Sequence, residues 1–110
     1  MLILQITIEG GKMEMINPVH PGLLVKECID ELGLSVAEAS KGLGITRQQL
    51  YNVIAGRSSV TLEMAIRFEK AFGSTADTWL RMQMNHDLAQ MRTRASSIAV
   101  ERFMPKGAHQ

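Results

Sequence analysis

Side chains that hydrogen bond to bases or phosphates are concentrated between residues 46 and 58. An arginine can form two hydrogen bonds to guanine, and glutamine or asparagine can do the same with adenine. A basic residue beside such a cluster can contact the phosphate backbone, which fixes register without reading sequence. We therefore predict DNA contacts from Thr46, Arg47, Gln48, Gln49, Tyr51, Asn52, Arg57 and Ser58.

These side chains divide into base contacts and backbone contacts. Thr46 and the helix that it opens can meet a phosphate through backbone N–H groups. Arg57, with Ser58 and Ser59 beside it, follows the helix and suits a phosphate contact. Three of the base-reading assignments have simpler alternatives. Gln49 can instead close a capping box with Thr46, Tyr51 can pack at the rim of the helix, and Asn52 can be solvated.

The residues that must position this cluster have the spacing of a helix-turn-helix. Ser40 is small, as required where a second helix crosses closely, and Gly44 supplies a left-handed turn four residues later. Leu50 and Val53 lie on the inward face of the following helix. Such a pair of helices projects the first turns of its second helix into a DNA major groove.

Five helices are expected between Pro18 and Arg94, so we predict an all-α fold. The first begins at Pro21 and carries an inward stripe of Leu24, Cys28 and Leu32. Glycines end the first four helices: Gly33, Gly44, Gly56 and Gly73. Capping residues open the other four: Ser35 with Glu38, Thr46 with Gln49, Thr61, and the segment 74–77.

The fifth predicted helix has more apolar surface than one small core can use. Leu80, Met84, Leu88 and Met91 form one stripe, which is suited to a two-fold dimer interface. Trp79 lies one residue off that stripe and is expected in the core or the dimer interface. His20 precedes Pro21 and is expected to be a helix-start residue rather than a ligand.

We divide the chain into an N-terminal extension at 1–16, a helix-turn-helix domain at 17–92 and a C-terminal tail at 93–110. Residues 2–9 are rich in β-branched side chains and form either one short strand or a disordered extension. The tail is expected to be mobile, with docking of Ile98, Val100 and Phe103 as the alternative.

Charge is unevenly distributed although the chain of 110 residues has a net charge of only +1. Residues 1–34 are net acidic and residues 81–110 net basic. No acidic residue lies between Glu38 and Glu63, where Lys41, Arg47 and Arg57 occur. An acid-free window of this kind favours the approach of a polyanion, although a chance gap on a solvated face is the alternative.

The single cysteine and the three histidines form no pattern of a catalytic or cofactor site, so we predict neither an enzyme nor a cofactor. The single Cys28 lies on an apolar stripe with no histidine near it in sequence, and one cysteine fits a reducing cytoplasm. The three histidines are scattered and match no zinc spacing. No apolar run approaches the ~20 residues of a membrane span, so we predict a cytoplasmic protein.

Several segments resemble the HigA-type antitoxins of the XRE, or λ-repressor-like, helix-turn-helix group. They are NPVHPG at 17–22, the region 32–50, the run AGRSSVTLEMAIRFEKAFG at 55–73, and the Trp79-Leu80 and Gln83 signature. The resemblance covers roughly residues 17–90 and implies a five-helix λ-repressor-like domain. It also implies a homodimer that binds an inverted-repeat operator and neutralises a RelE-like, HigB-type mRNA interferase. No toxin-contact residue is transferred, and a stand-alone XRE-family regulator is the alternative.

Overall fold

The computed structural model describes residues 18–107, and within that range it contains five α-helices and no strand. The helices are α1 (Gly22–Glu31), α2 (Val36–Leu43), α3 (Arg47–Ile54), α4 (Leu62–Phe72) and α5 (Ala76–Arg92), followed by a 3₁₀ turn at Ala95–Ser97. The predicted five-helix all-α fold is confirmed. The strand considered for residues 2–9 lies outside the described residues.

Side-chain caps fix where the helices begin. Ser35 accepts a hydrogen bond from the Glu38 N–H at 3.1 Å, and the Glu38 carboxylate accepts one from the Ser35 N–H at 2.9 Å. This bond to the Ser35 backbone holds the pKa of Glu38 below its usual value. The predicted capping box at the start of α2 is therefore confirmed, and the same reciprocal pair opens α3.

All five helices contribute to one core, in which α3 packs on α1 and α2, α2 packs on α4, and α4 pairs with α5. It is built from aliphatic residues of the first three helices and from aromatic residues of the last two: Leu24, Val25, Cys28, Ile29, Leu43, Leu50, Val53, Phe68 and Trp79. One inward assignment was wrong, because Leu32 is 58% exposed. The last buried residue of α1 is Ile29, and Leu32, the C-cap, lies beyond the part of the helix that packs on the core.

Aromatic packing joins α4 to α5. The rings of Phe68 and Trp79 lie 4.9 Å apart between centroids, and Phe72 packs against both. The Trp79 indole N–H donates to the Ser74 hydroxyl at 2.7 Å, which satisfies the polar atom of a fully buried side chain. Of the two places considered for Trp79, the structure shows the core.

A glycine makes the close approach of α1 to α3 possible. A Cβ built on Gly22 would lie 1.9 Å from the Val53 carbonyl oxygen and 2.9 Å from that of Ile54. Both neighbours are backbone atoms, so no side-chain rotation relieves the contact. Gly22 therefore allows the start of α1 to rest directly on the C-terminal end of α3.

Apolar side chains remain exposed on α5 and beyond it. Leu88 and Met91 are each 43% exposed and Met84 is 52% exposed. Ile98, Val100 and Phe103 are all largely exposed, so the docking considered for them is not seen in the described part of the tail. The apolar stripe of α5 is thus on the surface of the single chain.

Candidate nucleic-acid interface

Helices α2 and α3 meet at a turn that an arginine from α4 holds from behind. Gly44 adopts the left-handed conformation with φ 76°, as predicted for the turn. The Arg67 guanidinium donates to the Leu43 carbonyl at 2.8 Å and forms an ion pair with Glu63. Because the last carbonyls of a helix lack partners within it, this bond both satisfies α2 and fixes the turn.

The N-terminus of α3 is exposed and capped by Thr46. The Thr46 hydroxyl accepts from the Gln49 N–H at 3.0 Å, and the Gln49 side-chain oxygen accepts from the Thr46 N–H at 2.8 Å. The capping role considered for Gln49 is therefore present. A two-bond pair with adenine uses that same oxygen, so Gln49 would have to leave the capping box to read adenine in this way.

Asn52 links the exposed face of α3 to the segment that follows the helix. Its side-chain oxygen accepts from Gln48 Nε2 at 3.0 Å and from Arg57 Nε at 3.3 Å. Its backbone oxygen accepts from the N–H groups of Arg57 at 2.8 Å and Ser58 at 3.2 Å. The structure thus brings together three of the predicted contacts in one hydrogen-bonded row, and Asn52 is not merely solvated.

Arg47 and Tyr51 form a second row, one helical turn apart beside the first. Both are exposed, and Tyr51 shows 48% of its surface to solvent. The cations of the acid-free window, Lys41, Arg47 and Arg57, are all exposed. The face combines hydrogen-bonding side chains with positive charge, which suits a DNA groove flanked by phosphates.

Sequence reasoning missed one buried residue, which bonds to the segment between α3 and α4. Gln83 of α5 is 6% exposed, and its side-chain oxygen accepts from the Val60 N–H at 2.8 Å. Its side-chain nitrogen donates to Asp87 at 3.0 Å. The signal for this residue in the sequence is the Trp-Leu-x-x-Gln run at 79–83.

His20 caps the start of α1, which confirms its expected place as a helix-start residue. Its Nδ1 accepts from the Gly22 N–H at 2.9 Å, and its ring meets that of His86 edge to face at 5.0 Å. His86 in turn lies 3.1 Å from the Asp87 carboxylate. Burial, followed by the neighbouring His86, lowers the pKa of His20, whereas Ser58 and Asp87 act in the opposite direction.

Mild acid is expected to destabilise the fold through His20. At pH values well above 6.5 the imidazole is neutral in folded and unfolded chains alike. As the pH falls below 6.5, the unfolded chain gains a proton that the folded chain still resists, because the pKa of His20 is lowered on folding. Urea unfolding between pH 7 and 5 should show this loss. The variant His20→Asn should lose less unfolding free energy over that pH range. An equal loss would show that another group causes the pH dependence.

Other chemistry is limited in the part of the chain that the structure describes. No group of three metal-ligating side chains converges between residues 18 and 107. Burial raises the pKa of the Cys28 thiol to about 11, so the thiol is protonated at neutral pH and serves as a core side chain. None of the described helices is long and apolar enough to cross a bilayer.

Comparison with known proteins identifies the same fold. The helix-turn-helix family model HTH_3 matches residues 25–79. Virulence-associated protein A' of Dichelobacter nodosus is 42% identical over 78 residues, which are 70% of this chain and 68% of that protein. Antitoxin HigA-1 of Vibrio cholerae is 31% identical over 79 residues, covering 71% and 74%. The structure of PA4674 with its operator DNA, from Pseudomonas aeruginosa, has a TM-score of 0.67 at 25% identity, covering 74% of this chain and 91% of that one.

Proposed function

Because this chain belongs to the helix-turn-helix family that includes the HigA-type antitoxins, we propose that it is an autorepressing antitoxin. In this proposal it binds an inverted-repeat operator in its own promoter. It also neutralises a RelE-like, HigB-type mRNA interferase encoded beside it. That this chain is a DNA-binding, antitoxin-like helix-turn-helix protein follows from the family itself.

The observation that carries the DNA-binding part is the exposed face of α3. Its first turn is capped and open to solvent, and its Gln48, Asn52 and Arg57 side chains are already joined by hydrogen bonds. We assign base contacts to Arg47, Gln48 and Asn52, and phosphate contacts to Thr46, Arg57 and Ser58. Tyr51 lies on the same face and is assigned to the groove edge. Gln49 contributes chiefly by capping α3.

Operator binding tests this assignment directly. Purified protein is titrated against its own promoter and against a scrambled duplex of equal length, at several salt concentrations. The proposal expects tight, salt-dependent binding to the promoter and much weaker binding to the scrambled duplex. Equal affinity for the two duplexes would contradict a sequence-specific operator.

Co-expression tests the antitoxin part. If the neighbouring gene encodes a ribonuclease-like toxin, this protein should relieve the growth arrest that the neighbour causes. A promoter-binding protein that fails to relieve arrest would instead be the stand-alone regulator of the XRE family. Repression and toxin neutralisation can be tested separately, because promoter binding is measured without the protein that the neighbouring gene encodes.

We further propose that a second copy covers the apolar stripe of α5. Leu80, Met84, Leu88 and Met91 span about 16 Å of that helix, with Asp77 near its start and Arg92 at its end. If two copies of α5 run antiparallel about a two-fold axis near Met84, Asp77 of each copy faces Arg92 of the other. Such a dimer should carry two copies of α3 about 34–36 Å apart, matching successive major grooves.

Replacing Leu88 with glutamate is expected to convert the dimer into a monomer and weaken operator binding. The change places a carboxylate of each copy in an apolar interface, where it loses its hydration. Sedimentation or light scattering at micromolar concentration measures the outcome. Asn85→Glu is the matched control, because Asn85 is also exposed but lies about 100° around the helix from Met84. If Leu88→Glu remains a dimer, the interface does not lie on the apolar stripe of α5.

A further inference from the structure

The segment between α3 and α4 is anchored at both of its ends. At its beginning, the N–H groups of Arg57 and Ser58 both donate to the Asn52 carbonyl. At its end, the buried Val60 N–H donates to Gln83, which comes from α5 and lies 23 positions further along the chain. The exposed side chain of Arg57 therefore projects from a backbone segment that α3 holds at one end and α5 at the other.

Gln83 is itself held in one orientation. Its amide nitrogen donates to Asp87, so its oxygen is directed at Val60. Asp87 lies beside His86, whose ring contacts His20 at the start of α1. A polar side chain this deeply buried is costly unless its bonds are satisfied, and here both ends of the carboxamide have partners.

We propose that Gln83 is a positioning residue for DNA binding, which acts by fixing the Arg57–Ser59 segment against the phosphate backbone. The inference rests on the proposed DNA-binding function and adds to it a residue that is shielded from DNA. Without the acceptor, the Val60 N–H is buried and unpaired, and the segment must shift to reach water. The shift displaces Arg57, and its contact with a DNA phosphate is weakened because that contact depends on a fixed geometry.

The test is a double-mutant cycle between Gln83→Met and Arg57→Ala. Methionine matches glutamine in length but cannot accept the Val60 hydrogen bond. Each single variant is expected to weaken operator affinity about tenfold. Each should also make the salt dependence shallower by about one unit. In the double variant the second change should add little, because the phosphate contact is already lost.

Amide hydrogen exchange supplies a measurement that does not depend on DNA. The Val60 amide should exchange faster in Gln83→Met, while amides in the middle of α3 keep their protection. Asp87→Leu is a second variant, made at an exposed position, and frees the Gln83 carboxamide without cutting into the core. It should change the salt dependence in the same direction by a smaller amount.

Met82→Ala is the matched control for lost stability. Met82 is the neighbour of Gln83 on α5 and packs partly against the core, so its truncation lowers the unfolding temperature. It should leave both the salt dependence and the Val60 amide unchanged.

Fully additive effects of Gln83→Met and Arg57→Ala, or an unaltered Val60 amide, would overturn the positioning role. Failure of the wild-type protein to bind its promoter would refute the DNA-binding function instead. The exchange data would still report whether Gln83 anchors the segment.

Discussion

Replacing both Arg47 and Gln48 with alanine is expected to weaken operator binding by about 2–6 kcal/mol, the sum of about 1–3 kcal/mol for each side chain. Both residues are exposed on the first turn of α3, the part of such a helix that enters the major groove. Gln48 also bonds to Asn52, so its removal loosens a neighbour that is assigned to base reading. Specificity should relax at the contacted base pairs, and non-specific binding should change much less.

A promoter titration with single-base substitutions measures this change. Lys70→Ala is the matched control for lost positive charge, since Lys70 is exposed on α4 and belongs neither to the assigned DNA-binding face nor to the proposed dimer interface. That control leaves α3 intact and should preserve the ranking of promoter variants. Unchanged operator binding in the Arg47/Gln48 double variant would refute the assigned reading face.

Replacing Gly22 with alanine is expected to lower the free energy of unfolding by about 3 kcal/mol or more. The added Cβ would lie 1.9 Å from the Val53 carbonyl oxygen, and backbone atoms cannot move aside without separating α1 from α3. Because Val53 lies near the end of α3, the same shift also tilts the reading face. Operator affinity should therefore fall even at temperatures where the variant remains folded.

Gly42→Ala provides an unusually close control for this prediction. Gly42 lies within α2, and a Cβ there meets no atom within 4 Å. Alanine is the better helix former, so this variant should be more stable by about 0.5–1 kcal/mol. Urea or thermal unfolding of both variants measures the contrast. A Gly22→Ala protein as stable as the wild type would show that α1 and α3 do not pack this closely.

The features that sequence analysis predicted well depend on neighbours close in the chain. A capping residue and its partner are three positions apart, so Ser35 with Glu38 and Thr46 with Gln49 were both recognisable. Gly44 was likewise predictable, because a left-handed turn between two short helices favours glycine. Leu32 was misassigned because periodicity was extended one residue past the end of α1.

The features that were missed depend on contacts between distant segments. The 23-position separation of Val60 and Gln83 leaves no periodic trace, and a polar residue in an amphipathic helix is normally assigned to its outer face. The sharing of Asn52 by Gln48 and Arg57 was also not predicted, because it depends on how the chain turns after α3.

The single tryptophan and the single tyrosine lie in different environments, so their fluorescence can report two different events. Trp79 is the single tryptophan and is fully buried among Phe68 and Phe72, so its emission should shift to the red only when the α4–α5 core opens. Tyr51 is the single tyrosine and lies exposed on α3. We therefore expect Trp79 emission to report unfolding and Tyr51 emission to report DNA bound to the α3 face, in one unlabelled sample.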